Sequence, residues 1–255
     1  MLKVLGITAA VTTASAVLAG CGGGSSSGGN SGSDATILDS AITAEGLAAT
    51  LYANLIASPI YTNLSATNRG YLVAAYEQEV EHYNFLVASG GTALPTNTNF
   101  YFPTGMFTAG AGGYQTTFNT IEIIEDLLIA IYLIGVNNFS TGSLKLYSAQ
   151  LLGVDSEHRV LARVVASSLG VSSTTNLADG TELTGGGSNS ANNYEFERQF
   201  PEPLTSGITT VNTILTNNFQ TLGASGNSQT AYPLTVTATL PNVSAINQDN
   251  TIEND

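Results

Sequence analysis

Both histidines of this chain close the same short motif, and no other feature restricts its fold as strongly. His82 ends Glu79-Val80-Glu81-His82 and His158 ends Asp155-Ser156-Glu157-His158, so each imidazole follows a carboxylate by three residues. On a helix, residues three apart share one face, one turn apart. Both motifs lie in runs with apolar residues at helical spacing, AAYEQEVEHYNFLVASGG and VDSEHRVLARV. A single acid-x-x-His pair is common on a solvated helix face. Two such pairs, using every histidine in 255 residues, point to helices that share one polar site.

The apolar periodicity predicts four long helices, at about 36–57, 66–89, 116–137 and 143–169. Ser33 or Asp34 is placed to cap the first, and Pro59 lies just beyond its end. Its stripe runs Leu38, Ala41, Ile42, Ala48, Ala49, Tyr52, Leu55, Ile56, and Glu45 falls inside it. A carboxylate on a core face is costly unless something positive meets it. The second helix starts near Ser65 and stops at Gly90-Gly91. Glu79 and His82 lie on or beside its stripe, whereas Glu77 and Glu81 point to solvent.

The third helix, FNTIEIIEDLLIAIYLIGV, is apolar almost all round. Its unbroken apolar stretch, Leu127 to Val136, is shorter than the roughly 20 residues a bilayer requires, so it reads as a buried bundle helix. Glu125 shares a face with Ile121, Leu128 and Tyr132 and is the inward candidate; Glu122 is the fallback, and Asp126 is off the stripe with it. The fourth helix begins at Thr141 or Ser143 and ends before Gly170, with Asp155 and His158 inside its stripe. Glu157, Arg159 and Arg163 are expected to face outward.

Two hairpins bring the four acids level. Glu45 lies 12 residues before position 57 and Glu79 13 after position 66; Glu125 lies 12 before 137 and Asp155 12 after 143. The segment 90–115 is rich in Gly, Pro, Asn and Thr and long for a plain loop. It can travel the length of a 22-residue helix, about 33 Å, and so serve as one long crossover between the hairpins. The predicted class is all-α, a four-helix bundle with one long crossover over 36–170.

These segments resemble the secreted ferritin-like family that includes the desiccation-related proteins. The resemblance rests on TAEGLAATLY, EVEHYNFL, IEDLLIAIYLIG and VDSEHRVLARV, which together span about 36–170. It implies a ferritin-like bundle binding two Fe or two Mn ions, with Glu45 and Glu125 as single carboxylates and Glu79/His82 and Asp155/His158 as paired ligands. It further implies reaction with O₂ or peroxide and a role in oxidative or desiccation stress. The alternative is a metal-free stress-protective protein that keeps only the fold. Position 155 usually holds Glu in this pattern; an Asp, one methylene shorter, is expected to ligate one metal rather than bridge two.

The flanks read differently. Residues 1–20 form a signal segment ending Leu18-Ala19-Gly20 before Cys21, the chain's single cysteine. That run resembles a bacterial lipobox, which implies cleavage before Cys21 and a lipid on its thiol. Residues 21–35 are a Gly/Ser tether. The expected location is the cell envelope, facing away from the cytoplasm, with a lipid-anchored bundle open to homodimer formation rather than a closed shell. One cysteine excludes an internal disulfide, and a net charge of −13 with six basic residues excludes a nucleic-acid surface. Residues 171–255 are predicted to be a less regular extension: a polar loop, a short helix near 203–218, a strand at Leu234–Leu240 and a disordered tail from Gln248.

Overall fold

The computed structural model describes residues 31–171, 207–223 and 228–237. The expected signal segment, Cys21, most of the tether, the polar loop after 171 and the tail lie outside the described residues. The elements are α1 (Ser31–Ile56), α2 (Pro59–Thr62), α3 (Ala66–Ala88), β1 (Asn99–Pro103), α4 (Ala111–Asn138), α5 (Gly142–Ser168), α6 (Ile208–Leu215), a π-helical turn (Thr216–Gln220) and β2 (Gln229–Pro233). No helix among the described residues is long and apolar enough to cross a membrane.

The helix ends follow local chemistry. Ser65 accepts from Asn68 N at the start of α3, and Thr141 accepts from Leu144 N at the start of α5. Gly90 and Gly170 adopt positive φ just past α3 and α5. There Gly91 N bonds back to Leu86 O and Val171 N to Ala166 O, which occupies carbonyls the helix leaves free. The first helix begins at Ser31, earlier than expected. Asp34 therefore lies inside it and instead holds the turn between α4 and α5, accepting from Ser140 N at 3.0 Å.

Side-chain bonds between helix ends fix the directions. Thr92 N, just beyond α3, donates to Asp39 near the start of α1, so α1 and α3 are antiparallel. Asp34 near the start of α1 meets Ser140 beyond α4, while Asn63 beyond α1 donates to Tyr114 in the first turn of α4. Asn68 at the start of α3 donates to Ser168 at the end of α5. Every such pair is antiparallel. The segment from α3 to α4 must consequently run from one end of the bundle to the other, as one long crossover.

That crossover is more than a loop. It carries β1, which pairs antiparallel with β2 in the register Phe100↔Tyr232 and Phe102↔Thr230. Phe102, Phe107 and Tyr232 form an aromatic cluster beneath the ribbon, with ring centroids 5.2–5.9 Å apart. The strand thus precedes the expected 234–240. Pro233 cannot donate to a ladder, and after it Leu234 N bonds to Thr98 O while Thr235 N bonds to Thr50 Oγ1 on α1. Tyr76 on α3 donates to Thr237 O.

This covering changes the status of α1. An apolar stripe predicts one buried side, but nearly every residue of α1 from Ile37 to Ile56 is buried. Its outward side lies under the crossover and the chain after β2. Gly46 marks a close approach: a Cβ there would stand 2.9 Å from Leu94 Cδ1 and 3.1 Å from Leu234 Cδ1. Glu45, one residue earlier, is fully buried.

Candidate metal centre

Six side chains from four helices converge at mid-height of the bundle. Glu45 comes from α1, Glu79 and His82 from α3, Glu125 from α4, Asp155 and His158 from α5. All are buried, and the four carboxylates are 0% exposed. They fall into two groups, Glu45, Glu79, His82 and Asp155, and Glu79, Glu125, Asp155 and His158; within each group one ligand atom per residue lies within 4.8 Å of the others. Glu79 and Asp155 belong to both. Asp155, despite its shorter side chain, has a carboxylate oxygen within reach of both groups.

Contacts within the groups cross between the motifs. His82 Nδ1 lies 3.5 Å from Glu45 Oε2 and 3.6 Å from Asp155 Oδ1. His158 Nδ1 lies 2.5 Å from Glu79 Oε1 and 3.9 Å from Glu125 Oε2. The two imidazoles are stacked with centroids 6.3 Å apart. Eight buried atoms here make no hydrogen bond: Glu45 Oε2, both oxygens of Glu79, His82 Nδ1, Glu125 Oε2, both oxygens of Asp155 and His158 Nδ1. The 2.5 Å approach of His158 to Glu79 is thus a contact without hydrogen-bond geometry.

The electrostatics follow from burial of like charges. Burial pushes the carboxyls of Glu79, Glu125 and Asp155 well above the usual range, and the negative charge of Glu45 adds to the effect at each. Burial pushes Glu45 up as well, but the charge of His82 and close contacts with Glu79, His82 and Tyr132 outweigh it and hold Glu45 below its ordinary value. His158 is lowered to about 4, chiefly by burial and then by the neighbouring His82. Tyr52 and Tyr132, raised by burial and the adjacent Glu125 and Glu45, stay protonated and donate to those carboxylates.

A second layer lies beside the first, and it corrects the outward assignment of two residues. Arg159 and Arg163 are buried, as are Asp126 and Glu122. Arg159 Nη1 pairs with Asp126 Oδ1, and Arg163 Nε bonds to Glu122 Oε2 at 3.2 Å. Glu122 is inward but committed to Arg163, so the fallback for Glu125 is not needed. The apolar stripe missed these four because they lie at the α4·α5 seam, beside the stripe rather than within it. One signal was present: two acids four apart on one helix and two arginines four apart on its antiparallel neighbour. Glu77, Glu81 and Glu157 are exposed, as expected.

The donor set suits a metal. Four carboxylates and two imidazoles in a dry bundle match the oxygen and nitrogen preferences of Fe and Mn, and two divalent cations would balance four ionised carboxylates. A family model described as a ferritin-like domain matches residues 33–168, more than half of the chain. No curated protein and no solved structure matches it.

Proposed function

Because the chain belongs to the ferritin-like domain family, we propose that it is a dimetal carboxylate protein holding two Fe or two Mn ions between its four long helices. Glu45, Glu79, His82 and Asp155 would hold one ion, and Glu79, Glu125, Asp155 and His158 the other. The observation that carries this reading is the set of eight buried atoms that face one another without a hydrogen-bond partner. A buried polar group left unsatisfied costs about 1–3 kcal/mol, and a cation relieves all eight together. In a metal-free protein the same groups would have to satisfy one another by sharing protons.

When bound, Fe or Mn with an open coordination position supplies reaction with O₂ or peroxide. The chain's own residues do the rest. Tyr52 and Tyr132 hold one oxygen of Glu125 and Glu45, which leaves the second oxygen of each facing an imidazole. The apolar walls contributed by α1 and α4 exclude water from the ligands. Glu79, Glu125 and Asp155 hold protons until a cation displaces them.

The reading extends to place and role: a lipid at Cys21 and the Gly/Ser tether would hold the bundle at the cell envelope, where O₂- or peroxide-directed chemistry would serve the response to oxidative or drying stress. The test is metal analysis of protein purified without chelators, expected to return about two Fe or Mn per chain. Less than a tenth of one metal per chain, unchanged after anaerobic Fe(II) or Mn(II) loading, would favour the metal-free stress protein.

A further inference from the structure

His158 presents its two ring nitrogens to different surroundings. Nδ1 is one of the unpartnered buried atoms of the second ligand group. Nε2 lies 2.8 Å from Oε1 of Gln78, which reaches across from α3. Gln78 is exposed and His158 is buried, so the bond closes the α3·α5 seam from its solvent side. A carbonyl oxygen can only accept. The contact therefore requires the imidazole proton on Nε2 and leaves the lone pair of the neutral ring on Nδ1. That is the form in which Nδ1 can ligate a cation.

We propose that Gln78 is a positioning residue for the second metal position: by accepting from His158 Nε2 it aims the Nδ1 lone pair at the space between Glu79 and Glu125 and sets the affinity there separately from the first position. The opposite tautomer would put a proton on Nδ1, 2.5 Å from Glu79 Oε1, and close the ligand position. Proton and cation compete for one lone pair, and Gln78 decides between them. As a neutral amide it does so without adding a fifth negative charge beside four carboxylates. Residues that accept from the second nitrogen of a ligating histidine typically contribute 10–100-fold in metal affinity. The inference rests on the dimetal reading above.

Two measurements test it separately from that reading. The first needs no metal. In the chelator-stripped full chain at pH 7.5, two-bond ¹H–¹⁵N correlation spectra should show His158 with its proton on Nε2. Gln78→Glu, which keeps an acceptor, should preserve that pattern, and Gln78→Leu should move it toward the Nδ1–H form. Gln78 is exposed, so Gln78→Leu removes no packed core. A wild-type ring protonated on Nδ1 overturns the proposal whether or not the protein binds metal. The second is a calorimetric titration with Mn(II). Gln78→Leu should weaken one of two positions about 10–100-fold and leave the other unchanged, with Gln78→Glu close to wild type. Superimposable isotherms for wild type and Gln78→Leu overturn the proposal. No metal uptake by the wild type overturns the dimetal reading and the affinity half of this one, and the tautomer spectrum still decides the assignment of Gln78.

Discussion

Tyr52 on α1 donates its hydroxyl to Glu125 Oε1 on α4 at 2.8 Å, and Tyr132 on α4 returns the same bond to Glu45 Oε1 on α1. Each tyrosine follows the carboxylate of its own helix by two turns yet serves the carboxylate of the other. The antiparallel order of α1 and α4 makes the two bonds equivalent. Both carboxylates are thereby held by one oxygen, and the other oxygen of each lies near an imidazole.

Tyr52→Phe keeps the ring and removes the donor, so it leaves no cavity. A buried acceptor without its donor costs about 1–3 kcal/mol. At about 2–4 °C per kcal/mol, the metal-free protein should melt roughly 2–12 °C lower. Thermal unfolding of the two proteins side by side checks this, and an unchanged midpoint would mean that the hydroxyl contributes nothing.

Arg163→Met should be far more harmful than a solvated arginine allows. Glu122 would remain buried with its cationic partner gone, at a cost of about 3–5 kcal/mol. The double variant Glu122→Leu with Arg163→Met removes both charges and should recover most of that loss. Urea unfolding measures both; a single-variant cost within about 0.5 kcal/mol, the range of ordinary surface changes, would return Arg163 to the surface.

Ligands and bystanders should separate cleanly. His82→Ala and Glu125→Ala should each abolish or severely reduce bound Fe or Mn, whereas Glu81→Ala and Glu157→Ala, exposed in the structure, should retain the wild-type amount. Metal content by mass spectrometry is the readout, and four equal values would contradict the assignment of faces.

The effect of metal on stability should grow with pH. Glu79, Glu125 and Asp155 have folded-state values raised well above the unfolded ones. The stability they contribute is full below the unfolded carboxylate range and is lost as pH rises through the raised values. A cation that replaces those protons removes the loss, so its stabilisation increases as pH rises above the ordinary carboxylate range and its binding releases protons. His158, at about 4, does not compete at such pH. At 100 times the dissociation constant the gain is about 2.7 kcal/mol, or roughly 5–10 °C. Melting of stripped protein with and without Mn(II), or Fe(II) under anaerobic conditions, tests this; a metal-induced shift that shrinks as pH rises would reverse the assigned protonation states.

Cys21→Ser should release the chain from the membrane fraction, since the thiol of Cys21 is the expected lipid acceptor and the tether after it offers no apolar anchor. Unaltered partitioning after that change would remove the envelope from the account.

The two acid-x-x-His pairs, the stripe positions of Glu45 and Glu125 and the caps at Ser65 and Thr141 were legible in the amino acids, because helix periodicity ties position to face. Counting residues from helix ends was enough to set four carboxylates at one height. What periodicity cannot express is which helix lies on the other side. The buried pairs of Arg159 with Asp126 and Arg163 with Glu122 sit at a seam, where a face is polar or buried according to its neighbour. The all-round burial of α1 depends on residues 94 and 234–235, distant in sequence and brought over it by pairing of β1 with β2. The crossed tyrosine bonds and the Gln78 bond to His158 likewise exist only after docking, since each joins two helices whose relative register no local pattern encodes. Local spacing therefore determined the elements and the six inward groups, and tertiary packing decided which of those groups share a ligand set, because contact across helices depends on docking geometry rather than on sequence distance.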